Sequence, residues 1–178
     1  MQEKHGPGST DPGRRIPDPG FAGDDGAADP GLAAALASYA ASPGDPDRHV
    51  DVFRALRSSR LLVPVVAVLG EAEVDDAGLA REKTSDMATV LLTGRDGRQA
   101  LLAFTGLESL TAWRPDARPV PVTAADAARS AVQEGAAALL LDVAGPTSYA
   151  VEGDLLDGLA RGWVLTSTDE GLAWVDPA

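Results

Sequence analysis

The chain contains no cysteine. That absence removes disulfides, thiol nucleophiles, iron–sulfur clusters and thiolate zinc sites. Histidine is almost as scarce: His5 and His49 are the only two, so a three-histidine metal site cannot form within one chain. Neither lies near a Gly-x-Ser-x-Gly turn, and the chain has no glycine-rich phosphate loop or dinucleotide fingerprint. Lysine occurs twice, at Lys4 and Lys83, against 13 arginines, and no basic run is longer than Arg14–Arg15. With a formal charge of −12, bulk attraction to nucleic acid or to an anionic membrane is opposed. The longest aliphatic run, Leu61 to Leu69, falls far short of the ~20 residues that span a bilayer. The amino terminus lacks the apolar stretch of a secretory signal. These absences set the expectations: a cytoplasmic protein, not an enzyme, with no cofactor and no metal, binding neither nucleic acid nor membrane.

What is present suits a folded domain. A 44% hydrophobic fraction over 178 residues supports one core and an appendage. Residues 1–28 are rich in Gly, Pro and Asp, with Ile16 and Phe21 as their main apolar anchors. Such a segment cannot offset its ordering entropy by burial, so it is expected to be disordered, with the domain over 29–178 and its core over about 46–166. The acidic text at Asp24-Asp25-Gly26 lacks the alternating ligands and closing glutamate of a calcium loop.

The patterning then alternates. Asp29-Pro30 and Asp45-Pro46 each place a capping carboxylate before a proline suited to the first helical position. Leu32, Leu36 and Tyr39 share one face of the first helix; Val50, Phe53 and Leu56 share one face of the second. Leu61 to Leu69 reads as a strand, with Pro64 marking a start, bulge or edge. The centre of the pattern is Met87 to Thr105: two β-compatible runs around Gly94-Arg95-Asp96-Gly97, the signal of a hairpin. Both runs are apolar on both faces, which predicts strands covered on both sides. Further on come a short helix over Leu107–Trp113, extended chain over Arg114–Val122, and a helix opened by Thr123 and ending near Gly135. Ala138–Val143 and Ser148–Val151 read as strands, Asp154–Arg161 as a helix closed by Gly162, and Trp163–Leu165 as a last strand, with Leu172–Trp174 packing back. The fold class expected is α+β: a mixed, mainly antiparallel sheet of about five to six strands with helices packed on it.

Several segments together carry a resemblance. Ile16-Pro17-Asp18-Pro19-Gly20-Phe21-Ala22-Gly23-Asp24-Asp25-Gly26, Leu62-Val63-Pro64-Val65, Glu82-Lys83-Thr84-Ser85-Asp86-Met87-Ala88-Thr89 and the Ala-Leu-Leu-Ala-Phe-Thr strand resemble the SseB family. More narrowly, they are similar to actinobacterial proteins that carry the SseB N-terminal domain, without the further C-terminal domain of longer members. The family takes its name from enhanced serine sensitivity. A phenotype is not a reaction, so the resemblance implies a fold and transfers no catalytic residue.

Three places could hold a site. Gly70 to Asp86 is a long connection, and connections beyond ~12–15 residues in compact domains tend to be functional or disordered. Within it, Lys83, Thr84, Ser85 and Asp86 could bind an anion or fix a partner's backbone, or simply close a turn into the strand. Glu71 belongs to an acidic cluster with Glu73, Asp75 and Asp76, which paired chemistry would require to be buried and which solvation otherwise explains. Asp142 ends an apolar strand, where open α/β sheets place ligand-binding groups and where an aspartate can equally bond the following turn. The sequence thus favours a non-enzymatic interaction or adaptor domain that binds a protein through the 70–86 loop. The alternative is a small-molecule-sensing domain with a pocket between sheet and helices near Asp142 and Ser85.

Overall fold

The computed structural model describes residues 21–69 and 85–176. The two Asp-Pro signals do what their chemistry requires. In α1 (Pro30–Ala41) the Asp29 carboxylate accepts the Leu32 N–H at 2.8 Å, and in α2 (Pro46–Ser58) Asp45 accepts from Asp47 N–H at 3.0 Å. Each cap satisfies a donor the helix cannot, worth ~1 kcal/mol. The apolar stripes turn inward: Leu32, Leu36, Val50, Phe53 and Leu56 are buried, and Tyr39 is packed against them.

The chain continues through β1 (Arg60–Leu69), β2 (Ser85–Thr89), β3 (Leu91–Thr93) and β4 (Gln99–Ala103) to α3 (Leu107–Trp113). Next come β5 (Arg118–Thr123), α4 (Ala124–Gln133), β6 (Ala138–Leu141), β7 (Tyr149–Glu152) and α5 (Asp154–Arg161). A final hairpin joins β8 (Val164–Thr168) to β9 (Gly171–Val175). The strands are ordered β3-β4-β6-β7 in one sheet and β2-β1-β5 in another, which meet where Leu62 and Phe104 exchange backbone hydrogen bonds at 2.8 Å. All pairings are antiparallel except β4 with β6, so the α+β class with a mixed, mainly antiparallel sheet is what the structure shows.

The expected hairpin forms only in part. β3 and β4 pair around the 94–98 turn, but the first half of the run, β2, crosses to β1 instead. Nor are both strands covered on both sides. β3 lies at a sheet edge with Leu92 40% exposed, because no helix reaches that corner. β4 is covered as expected, and its alternation divides the interior in two. Leu101 and Ala103 join the large core under α1, α2, α4 and α5; Leu102 and Phe104 face a smaller one closed by Leu110 and Trp113 of α3. Pro64 stands inside β1, two residues past the Leu62–Phe104 exchange and next to the point where β1 takes up β2 at Val65. By strand alternation its missing N–H faces that change of partner, which is where a proline costs the ladder least.

Residues 21–28, placed by the sequence in the disordered segment, lie against the core. Arg60 holds them, its guanidinium donating to Asp24 Oδ1 at 2.7 Å, to the Ala27 carbonyl at 2.8 Å and to the Thr105 carbonyl at 2.9 Å. The Leu107 N–H donates to the Gly26 carbonyl at 2.8 Å. A Cβ on Gly26, whose φ is +79°, would stand 2.2 Å from the Leu107 side chain. Composition alone missed this strap because it is held by one half-buried arginine and backbone contacts, not by apolar burial.

Candidate functional site

The parallel pair places two chain exits side by side. Past β4 the chain enters α3 through Thr105 and Gly106; past β6 it turns at Asp142. Asp142 is the only non-glycine residue with positive φ (50°) among the described residues, a conformation that aspartate tolerates better than most. Its N–H donates to the Ala103 carbonyl at 3.0 Å, and Gly145 N–H donates to its own carbonyl at 2.8 Å. That geometry ends β6 at Leu141, earlier than the Val143 the sequence suggested.

The Asp142 side chain is 5% exposed and fully engaged with the β4–α3 connection. Oδ1 accepts the Thr105 N–H at 2.9 Å and the Ser109 hydroxyl at 2.5 Å; Oδ2 accepts the Thr105 hydroxyl at 2.7 Å. The local-turn explanation of this aspartate is therefore corrected: its carboxylate reaches across the sheet end and leaves the turn to backbone bonds. Thr105 and Ser109 were not singled out in the sequence. The signal was there in Thr105-Gly106-x-x-Ser109, hydroxyls four residues apart at a strand-to-helix exit.

Above this cluster opens a cavity of about 450 Å³. That lies within the ~300–1,000 Å³ of ordinary ligand sites, and the ends of parallel strands are where such sites gather. One wall is α1, through Ala33, Leu36 and Ala37; a second is α3, through Glu108, Ser109 and Ala112; a third is the Asp142–Thr147 turn. The strap closes the fourth side with Gly26, Ala27 and Ala28. A depression of about 480 Å³ lies against the strap between residues 21–30 and Ser58–Arg60, but its charged groups are already engaged: Asp24 with Arg60, Asp25 with the Ala27 N–H and Asp29 with the Leu32 N–H.

A second polar cluster is structural. Tyr149 Oη lies 3.0 Å from His49 Nδ1, and the rings of Tyr39, His49 and Tyr149 pack within 6.0 Å of one another. Burial, and less so the neighbouring Tyr39, pushes the Tyr149 phenol far above its ordinary value, so it stays protonated.

Glu71, Lys83 and Thr84 lie outside the described residues. Ser85 and Asp86 open β2, where their backbones pair with Leu69 and Val68. Leu69 is seven residues along β1 from the Leu62–Phe104 exchange, about 23 Å of extended chain. The expected pocket near both Asp142 and Ser85 is thus near Asp142 alone. Among the described residues no three His, Asp or Glu side chains group to hold a metal, and no helix is long and apolar enough to cross a membrane.

The family model for the SseB protein N-terminal domain matches residues 32–157. The chain belongs to the SseB family. No curated protein and no solved structure matches it. The SseB match opens inside α1 and closes inside α5. It therefore contains three walls of the cavity, and the strap is the wall that lies before it.

Proposed function

We propose that this SseB domain is a non-enzymatic small-molecule-binding domain whose ligand occupies the cavity over Asp142. The observation that carries the reading is the cavity itself: an apolar wall from α1 facing α3, with Asp142, Thr105 and Ser109 converging at its base. Such a site has the make-up of a binding pocket. Among the described residues nothing in it makes a nucleophile, because the Ser109 hydroxyl donates to the Asp142 carboxylate and has no imidazole beside it.

The test is a thermal-shift screen with amino acids and nucleotides on the wild type and on Ala37→Trp. Ala37 is exposed on α1 at the cavity wall, so a tryptophan there fills the site without disturbing the core. A ligand at a hundred times its Kd stabilises by ~2.7 kcal/mol. The expected result is such a shift in the wild type and its loss in the variant. An equal shift in both proteins for every active compound contradicts the reading. Protein binding through Lys83–Asp86 remains a separate proposal, resting on the length and charge of the 70–86 connection. Affinity capture beside a Lys83→Ala/Asp86→Ala variant tests it: partners held equally by both proteins contradict it.

A further inference from the structure

The donor and acceptor inventory of the cavity narrows the ligand. An ionised carboxylate only accepts, with about four positions on its two oxygens. Asp142 has used two on Oδ1 and one on Oδ2, so one acceptor position remains. Thr105 and Ser109 have a single hydroxyl proton each: that of Thr105 is directed at Asp142, and that of Ser109 is shared between Asp142 at 2.5 Å and the Gly106 carbonyl at 3.1 Å. Toward the cavity those hydroxyls can therefore offer only lone pairs. Glu108, on the α3 wall, adds a second carboxylate. Among the described residues Thr147 is the one lining hydroxyl free to turn either way.

The charges agree with the inventory. Among the described residues, both ionisable residues that line the cavity are acids, and no Lys, Arg or His lines it. Among the described residues neither Asp142 nor Glu108 forms a salt bridge. Asp142 is the one charged residue buried in the described structure, and it is held by neutral donors alone. A buried charge with no opposite charge beside it favours a cation and repels an anion. The rest of the lining, Ala33, Leu36, Ala37, Ala112 and Pro146, suits a compact apolar body.

Resting on the binding reading above, we infer that this cavity takes an organic ammonium compound: a primary or secondary amine carried on a small apolar group. The ammonium sits at the Asp142–Thr105–Ser109 base with Glu108 alongside. The apolar part lies between α1 and the Asp142–Thr147 turn.

Three phenyl probes of similar size separate the chemistry: phenethylamine, 2-phenylethanol and 3-phenylpropionate. Each is titrated into the full chain labelled with ¹⁵N, and the amides of 105–109, Ala144, Gly145 and Thr147 are followed. The amine is expected to shift these amides with a Kd at least tenfold below that of the alcohol, and the carboxylate to leave them unmoved. Glu108→Gln, an exposed substitution that does not threaten folding, is expected to weaken the amine several-fold and leave the alcohol unchanged. Alcohol or carboxylate binding as tightly as the amine overturns the inference, as does an unaltered amine Kd in Glu108→Gln. Failure of all three probes overturns it as well. If the screen then finds another occupant that Ala37→Trp excludes, only the charge assignment has fallen; if Ala37→Trp excludes nothing, the cavity reading falls with it.

Discussion

Thr105 and Asp142 stand side by side beyond the parallel strands β4 and β6 and are joined twice, through the Thr105 N–H at 2.9 Å and the Thr105 hydroxyl at 2.7 Å. This pair ties two chain exits that the sheet itself no longer holds together. Asp142→Ala loses three charge-assisted bonds and places alanine in a left-handed conformation, so it is expected to cost about 3 kcal/mol or more in a denaturant melt. Asp142→Asn keeps the shape, the tolerance of positive φ and an acceptor for the Thr105 N–H, and should cost only about 1 kcal/mol. Equal losses for the two variants would show that the carboxylate's bonds contribute little.

The strap depends on one side chain. Arg60→Ala removes the bonds to Asp24, Ala27 and Thr105 together and should lower the local opening free energy of residues 24–28 by about 2 kcal/mol. Hydrogen exchange reads this at Gly26 and at Leu107, whose N–H the strap protects. Protection unchanged at Leu107 would mean that the strap is held by something other than Arg60.

The same latch has a pH dependence of definite sign. Burial raises the pKa of Asp24, but the hydrogen bonds from Arg60 and Gly26 N–H and the Arg60 charge outweigh it, leaving the carboxyl below its ordinary 3.8. A depressed carboxylate stabilises the folded strap fully above the unfolded value and loses that contribution as pH falls through the folded one. Protection of the strap is therefore expected to hold between pH 5 and 7, in units about one or more above 3.8, and to fade only below that value. Loss of protection already at pH 5 would contradict the assignment.

Gly158 lies inside α5 for reasons of space. A Cβ there would stand 2.4 Å from the indole of Trp174, which in turn packs edge-on to Phe53 at 5.6 Å. Gly158→Ala gains helix propensity but forces Trp174 of β9 off the core, a net loss of ~1–2 kcal/mol. A stability measurement paired with tryptophan fluorescence checks it; a more stable variant would show that Trp174 yields freely.

Much of this fold could be read from local chemistry. The Asp-Pro caps gave α1 and α2, Thr123 gave α4, and Gly162 closed α5 where expected, because each signal lies within a few residues of its effect. The choices made between distant segments were not legible. Nothing in Met87–Thr89 says that it pairs with β1 in place of β4, and nothing near Asp24 points to Arg60, thirty-six residues on. Asp142 was visible as a strand-end aspartate, but its partners lie on another strand exit, 33 and 37 residues away in sequence. The cavity has walls from four separate segments, so no window of sequence contains it.

The most direct measurement is a ¹H–¹⁵N spectrum of the full chain in the presence of a small-molecule extract from the cells that make it, beside the Ala37→Trp variant. The account predicts that the amides of Thr105, Gly106, Ser109, Gly145 and Thr147 move in the wild type and stay in place in the variant. If these amides stay fixed in the wild type, or if the variant shows the same movements, the cavity over Asp142 is not a binding site.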